Sequence, residues 1–228
     1  MYDIVFISYN ELNAEKNWQN LTARFSWAKR VSGVTGIHRA HIAAASKCFT
    51  NMFWVVDGDA EILETFDFSY TTKETKFVHV WRSLNPINDL EYGFGGVKLL
   101  PRLATLNMDT SKPDMTTSIS PHFKPMPEVS NVTAFNTDPF STWRSAFREC
   151  SKLSSKVIDR QKNDETENRL LTWKIKGADR PFGEYALKGA ADGEQFGVLN
   201  KGNIEELKKI NDFAWLREQF ERSYNGRS

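Results

Sequence analysis

Short unbroken apolar runs alternate with amphipathic stretches through the first hundred residues. Asp3–Ser8 (DIVFIS) is β-branched and aromatic, which predicts a buried first strand, and the polar Tyr9-Asn10-Glu11 predicts a loop at its carboxyl end. Ala14–Phe25 sets Trp18, Leu21 and Phe25 on one face at helical spacing. Lys29–Val34, closed by Gly33 and Gly36, predicts a second strand. His38–Phe49 predicts a helix whose alanines (Ala40, Ala43, Ala44, Ala45) let it lie close against a sheet. Asn51–Val56 (NMFWVV) predicts a third buried strand, stopped by Asp57-Gly58-Asp59. Strand, helix, strand, helix, strand predicts a parallel sheet with right-handed crossovers, hence an α/β fold with a Rossmann-like, mainly parallel mixed sheet flanked by helices. Ligands of such sheets sit outside the carboxyl ends of the strands. Tyr9–Glu11 and Asp57–Asp59 are therefore expected on one rim.

The second half is less regular. Lys76–Trp81 predicts a strand, and Tyr92–Leu100 (YGFGGVKLL) a glycine-rich turn running into another. Residues 107–131 carry Pro113, Pro121, Pro125 and Pro127, a pattern that predicts a long loop or lid. Asp138–Ile158 predicts a helix with Phe140, Trp143, Phe147 and Cys150 on its face. Residues 159–168 form a charged linker, Arg169–Lys176 fits strand or helix, and Phe182–Ala191 fits a helix. Asn203–Arg222 predicts one more helix, with Asn203 and Glu206 at capping-box spacing.

Composition narrows the function classes. A chain of 228 residues with 40% apolar and 26% charged residues can bury a core and is not of disordered type. A formal charge of +1 argues against DNA binding through phosphate contacts as the whole function, without excluding a local basic groove. Two cysteines, Cys48 and Cys150, in helical contexts suit buried reduced thiols and a cytoplasmic protein. No signal peptide or membrane-crossing run is visible, so no membrane partner is expected, and the Asn-x-Thr sequons at Asn20 and Asn131 are expected to be chance matches.

Asp57-Gly58-Asp59 carries the most chemistry. Two carboxylates separated by one residue at a strand end can present oxygens to a hard divalent cation, and such a cation can neutralise a diphosphate. A plain Asp-Gly turn followed by a capping Asp59 remains the alternative. Together, Tyr9-Asn10-Glu11 after the first strand, the helix GIHRAHIAAA and the segment FWVVDGDA resemble glycosyltransferases of the A-type fold (GT-A). The resemblance is strongest over residues 1–100 and extends to about 200. More closely, the chain is similar to small glycosyltransferases of T-even-like tailed phages, a group that includes enzymes modifying hydroxymethylcytosine in DNA, arabinosyltransferases among them.

The resemblance implies one glycosyltransferase domain, with a nucleotide-sugar-binding half over 1–100 and an acceptor half over 101–228. It implies Mn2+ or Mg2+ as cofactor, a nucleotide diphosphate sugar (UDP-sugar favoured) as donor, and DNA as one acceptor. A glycan or small-molecule acceptor, or sugar-1-phosphate nucleotidyl transfer, stands as the alternative. Tyr9, Asn10 and Glu11 would sit beside the base and ribose of the donor, with Arg39 and His41 near its nucleotide. Asp57 would reach the ribose or a metal-bound water, Asp59 the metal itself. A downstream His would complete the metal shell: His122, or else His79. Gly95 and Gly96 would let the backbone approach the sugar, although a glycine-kinked hairpin explains them as well. Asp138, just ahead of a late helix, would be the acceptor-hydroxyl base; followed by Pro139, it also fits a helix cap. Trp81, Trp143 and Trp173 suit core packing or stacking on an acceptor. Arg144, and the cluster Lys174, Lys176, Arg180 and Lys188, suit phosphate contacts or a solvated face.

Overall fold

The computed structural model describes residues 1–93, 95–112, 114–157 and 163–224. Phe94, Pro113, and the expected helix end and linker start at 158–162 lie outside them. The chain packs as two compact units: Met1–Asn85 with Asp89–Ser111 and Met115–Ala134, and Pro86–Asn88 with Lys112–Asp114 and Phe135–Ser228. The expected halves at 1–100 and 101–228 do not coincide with these units.

The first unit is a sheet of β1 (Asp3–Ser8), β2 (Lys29–Ser32), β3 (Met52–Asp57), β4 (Ala60–Ile62), β5 (Val78–Leu84), β6 (Glu91–Tyr92), β7 (Val97–Pro101) and β8 (Phe123–Thr133). Their order is β2-β1-β3-β7-β5-β8-β4, with β6 on β5. β1, β2, β3, β5 and β8 run one way; β4, β6 and β7 run the other. The fold is thus mixed α/β, with a mixed, mostly parallel sheet between helices.

Period-two alternation explains why the inner strands are apolar throughout. Ile4, Phe6, Trp54, Val56, Val97 and Leu99 face one layer, where Leu21 of α1 (Ala14–Arg24), Phe25, Phe66 and Phe68 cover them. Val5, Val31, Phe53, Val55, Val80 and Leu100 face the other, under Ala44 and Ala45 of α2 (Ile37–Ser46). Strands covered on both sides need no polar face. Trp54 is fully buried against Trp81 at 4.5 Å, and against Phe68 at 5.2 Å. Burying one such ring is worth roughly 2–3 kcal/mol. The short helices α3 (Arg102–Leu106) and α4 (Met115–Ile119) complete the unit, Met115 and Ile119 packing on the α2 side.

Three expectations are corrected here. Residues 107–131 are not one long loop, because α4 and most of β8 occupy them. Pro125 and Pro127 obscured the strand: they lie in the part of β8 that pairs only with β5, since the β4 ladder covers Asn131–Thr133 alone. Proline is tolerated at such an edge. The charged stretch after residue 162 is not a linker but the start of α6 (Asn163–Ile175), whose acidic residues Asp164 and Glu165 suit the positive end of a helix. Asn203–Arg222 breaks into α8 (Ile204–Leu207), a 3-10 turn (Lys208–Asn211) and α9 (Phe213–Tyr224). Asp212 stops the run by accepting hydrogen bonds from the amides of Ala214 and Trp215 at 3.0 and 3.1 Å, so a new helix begins there.

The second unit holds α5 (Pro139–Ser155), α6, α7 (Gly183–Leu199), α8 and α9. α7 presents Gly189, Gly193 and Gly197, spaced by four, to the backbone of α5. A Cβ on Gly193 would stand 2.2 Å from the Phe147 carbonyl oxygen. Phe140, Trp143, Phe147, Leu216 and Phe220 form an aromatic-rich core around this pair.

Candidate functional site

The carboxyl end of β1 and that of β3 lie side by side, because the two strands are parallel with Ile7 opposite Asp57. β7 runs antiparallel to β3, so its first residues arrive at the same end, with Val97 opposite Val56. Three segments distant in sequence therefore meet at one corner: Tyr9–Glu11, Asp57–Asp59, and Gly95–Gly96.

Their contacts are specific. The Asp57 amide donates to the Gly96 carbonyl at 2.9 Å. Gly58 and Asp59 form the turn into β4. Asn17 of α1 donates to the Gly58 carbonyl at 3.0 Å. Glu11 accepts from the Tyr9 amide at 2.7 Å. A Cβ on Gly58 would stand 2.7 Å from Glu11 Oε2, so the missing side chain is what lets a third carboxylate lie against the turn. Gly95 has φ +84°, open to glycine. Behind Gly96 lies buried Asn131, which accepts from Ser83 at 2.8 Å and from Ser130 at 2.9 Å. Asn131 is fully buried in the fold, so the sequon there has no access to a glycan.

Sequence reasoning missed Lys98. It lies opposite Val55 on β7, and its side chain falls on the α2 face together with that of Asp57. It is 2% exposed. Its Nζ donates to both Asp57 carboxylate oxygens at 2.8 Å and also to the Gly95 carbonyl. In the sequence it is one lysine among glycines and leucines; only the strand register reveals its partner.

The other candidates divide. Arg39 is exposed in the first turn of α2. His41 is not presented to a ligand as expected: it is 2% exposed, on the sheet side of α2, with Nδ1 2.8 Å from the Ile37 carbonyl. Burial, followed by the Lys98 charge, pushes its pKa down to about 3. Among the described residues its Nε2 has no hydrogen-bond partner. His122 does not join the corner. It precedes β8 where Phe123 pairs with Val78, at the end of the sheet opposite Asp57, and it stacks on Phe77 at 5.1 Å. The sequence could not give the direction of β8. His79 faces the other layer beside Tyr70, 3.5 Å from Glu74.

Asp138, in the second unit, is the N-cap of α5 and accepts from the Ser141 amide at 2.9 Å. Burial opposes its charge, but hydrogen bonds from Ser141 and Thr137 prevail and hold the carboxyl below its usual range. That makes it a good cap and a weak base. Trp81, Trp143 and Trp173 are all core. Arg144 lies over the Phe213 ring at 4.3 Å. Lys174 pairs with Glu194 at 2.8 Å, and Lys188 with Glu184 at 3.2 Å.

No helix among the described residues is long and apolar enough to cross a membrane. In comparisons with known proteins, the chain matches no protein-family model and no curated protein.

Proposed function

We propose that the protein is a glycosyltransferase moving a sugar from a nucleotide diphosphate sugar, a UDP-sugar by preference, to a hydroxyl. The favoured acceptor is 5-hydroxymethylcytosine in DNA. The observation that supports this reading is the convergence of Tyr9–Glu11, Asp57–Asp59 and Gly95–Gly96 at the carboxyl ends of β1 and β3, where open α/β sheets take their ligands.

Asp57 and Asp59 place two carboxylates at the strand end with Glu11 Oε2 against the same turn, but Lys98 takes both Asp57 oxygens and, among the described residues, no group of three metal-ligating side chains is found. Asp57 and Asp59 are the residues that would hold Mn2+ or Mg2+, which when bound supplies positive charge against the departing diphosphate. Glu11 fixes the Tyr9 amide, and so holds the loop on which the Tyr9 ring is offered to a base. Arg39 stands exposed at the start of α2, where it suits a phosphate.

Hydrolysis of a panel of sugar nucleotides, with and without Mn2+, tests the reading. A metal-stimulated release of nucleoside diphosphate that Asp59→Asn abolishes is the expected result; full turnover in that variant would refute the role of the corner. Nucleoside masses after incubation with hydroxymethylated DNA test the acceptor, and an unchanged hydroxymethylcytosine mass with every donor removes DNA.

A further inference from the structure

The second unit carries a cleft of its own, of about 250 Å³, whose lining includes Trp143, Phe147, Asp192, Phe196, Trp215 and Gln219. None of these residues belongs to the corner. Helical spacing explains the lining. Trp143 and Phe147 lie four residues apart on α5, Asp192 and Phe196 on α7, and Trp215 and Gln219 on α9, so each helix turns one stripe towards the cleft. Phe147, Phe196 and Trp215 meet pairwise at 5.3–6.1 Å with their planes inclined by 42–61°. Rings inclined in this way form a cup, not a flat stack. Trp143, itself buried, stacks on Phe147 at 4.8 Å and backs the cup.

The lining holds one charged group, the partly buried Asp192. Its Oδ2 accepts from Trp143 Nε1 at 2.8 Å and from the Tyr224 hydroxyl at 2.5 Å. These donors fix the carboxylate in place, but both are neutral. Its Oδ1 accepts from none of the described residues, and no cation among them pairs with Asp192. Lys188, one turn earlier on α7, pairs with Glu184 at 3.2 Å. A carboxylate withdrawn from water gains from a counter-charge, and the negative faces of aromatic rings favour the same sign. The volume is below that of drug-sized sites and leaves room for about ten non-hydrogen atoms.

We propose that this cleft binds a small organic cation, an ammonium carried on an aromatic or aliphatic body. The ammonium donates to Asp192 Oδ1, and the body lies against Phe147, Phe196 and Trp215. The proposal does not depend on the reading of the corner.

The test adds phenethylammonium to the full chain, with phenylethyl alcohol as its uncharged counterpart. Binding is followed by calorimetry and by the nuclear magnetic resonance signals of the indole N–H groups. The ammonium is expected to bind with a Kd of about 1 mM or below, at least about tenfold more tightly than the alcohol, and to move the Trp143 and Trp215 signals. Asp192→Asn keeps an acceptor for Trp143 and Tyr224 and removes the charge; it is expected to lower the affinity at least about tenfold. Trp215→Leu is expected to lower it at least about threefold. No binding of the ammonium, equal affinity for the alcohol, binding that leaves the Trp143 and Trp215 signals in place, or unchanged affinity in either variant overturns the proposal. Should Asp192→Asn fail to fold, the comparison of ammonium with alcohol decides in the unaltered chain.

Discussion

Gly193→Ala sets two physical effects of opposite sign against each other. In an exposed helix interior this change stabilises, by about 1 kcal/mol, because alanine is the better helix former. In α7 the new Cβ would lie 2.2 Å from the Phe147 carbonyl oxygen and 2.8 Å from its carbonyl carbon and Cα. Ordinary carbon–oxygen contacts begin near ~3.3 Å, so α5 and α7 must part by about an ångström. The obstacle is backbone, which cannot rotate aside, and Gly189 and Gly197 make the same close approach one turn away on either side. Overpacking of this kind costs up to about 3 kcal/mol. Set against the gain in propensity, the net loss is about 2 kcal/mol, or a fall in Tm of roughly 4–8 °C for a chain of this length. Urea unfolding followed by far-ultraviolet circular dichroism reads it directly. A variant as stable as the parent, or more so, would show that the helices do not pack through this row of glycines.

Asp138→Ala is expected to lose about 1 kcal/mol of stability by removing the α5 cap, whereas Asp138→Asn, which caps equally well, is not; denaturation midpoints distinguish them. Because Asn keeps the cap and not the basicity, a role as acceptor base predicts at least about a hundredfold loss of turnover in Asp138→Asn. Burial works against the charge on Asp3, but Lys29, the Phe49 amide and Thr50 outweigh it, holding the carboxyl well below its usual range. A folded pKa below the unfolded one gives stability that is present above about pH 4 and lost as pH falls towards the folded value. Asp3→Asn is therefore expected to be less stable at neutral pH, with a gap to the parent that narrows below about pH 4 in pH-resolved urea midpoints. Burial pushes the Cys48 thiol up to about 12 and the Cys150 thiol higher than usual. A thiol reagent at neutral pH is expected to react with neither in the native protein and with both after unfolding; fast native reaction would contradict their burial.

Where one element's own residues decide its conformation, the sequence was legible. NMFWVV and DIVFIS are apolar on both faces because both faces are covered, and the alanines of α2 mark close packing. The Asp57 turn was legible for the same reason, and parallel strands put Tyr9–Glu11 beside it; that Gly95–Gly96 reaches the same corner follows only from the antiparallel pairing of β7 with β3. What failed to show depends on partners. Prolines hid β8, because proline excludes a central strand but not an edge. The acidic start of α6 looked like a linker because its charges serve the helix end and not a core. His122 is adjacent to the site only if β8 runs the other way, and direction is not written in a single strand. Lys98 carries no signal of its own in the sequence; only the register that sets it across from Val55 brings it beside Asp57.

The unaccompanied half of β8 has a consequence for life at high concentration. Exposed strand borders invite a neighbouring molecule to continue the sheet, and cells suppress such growth by denying the newcomer its donors. Pro125 and Pro127, both exposed, carry no amide hydrogen to offer, two residues apart on the very stretch that β4 leaves bare. Restoring those amides would make this border sticky without touching any interior contact.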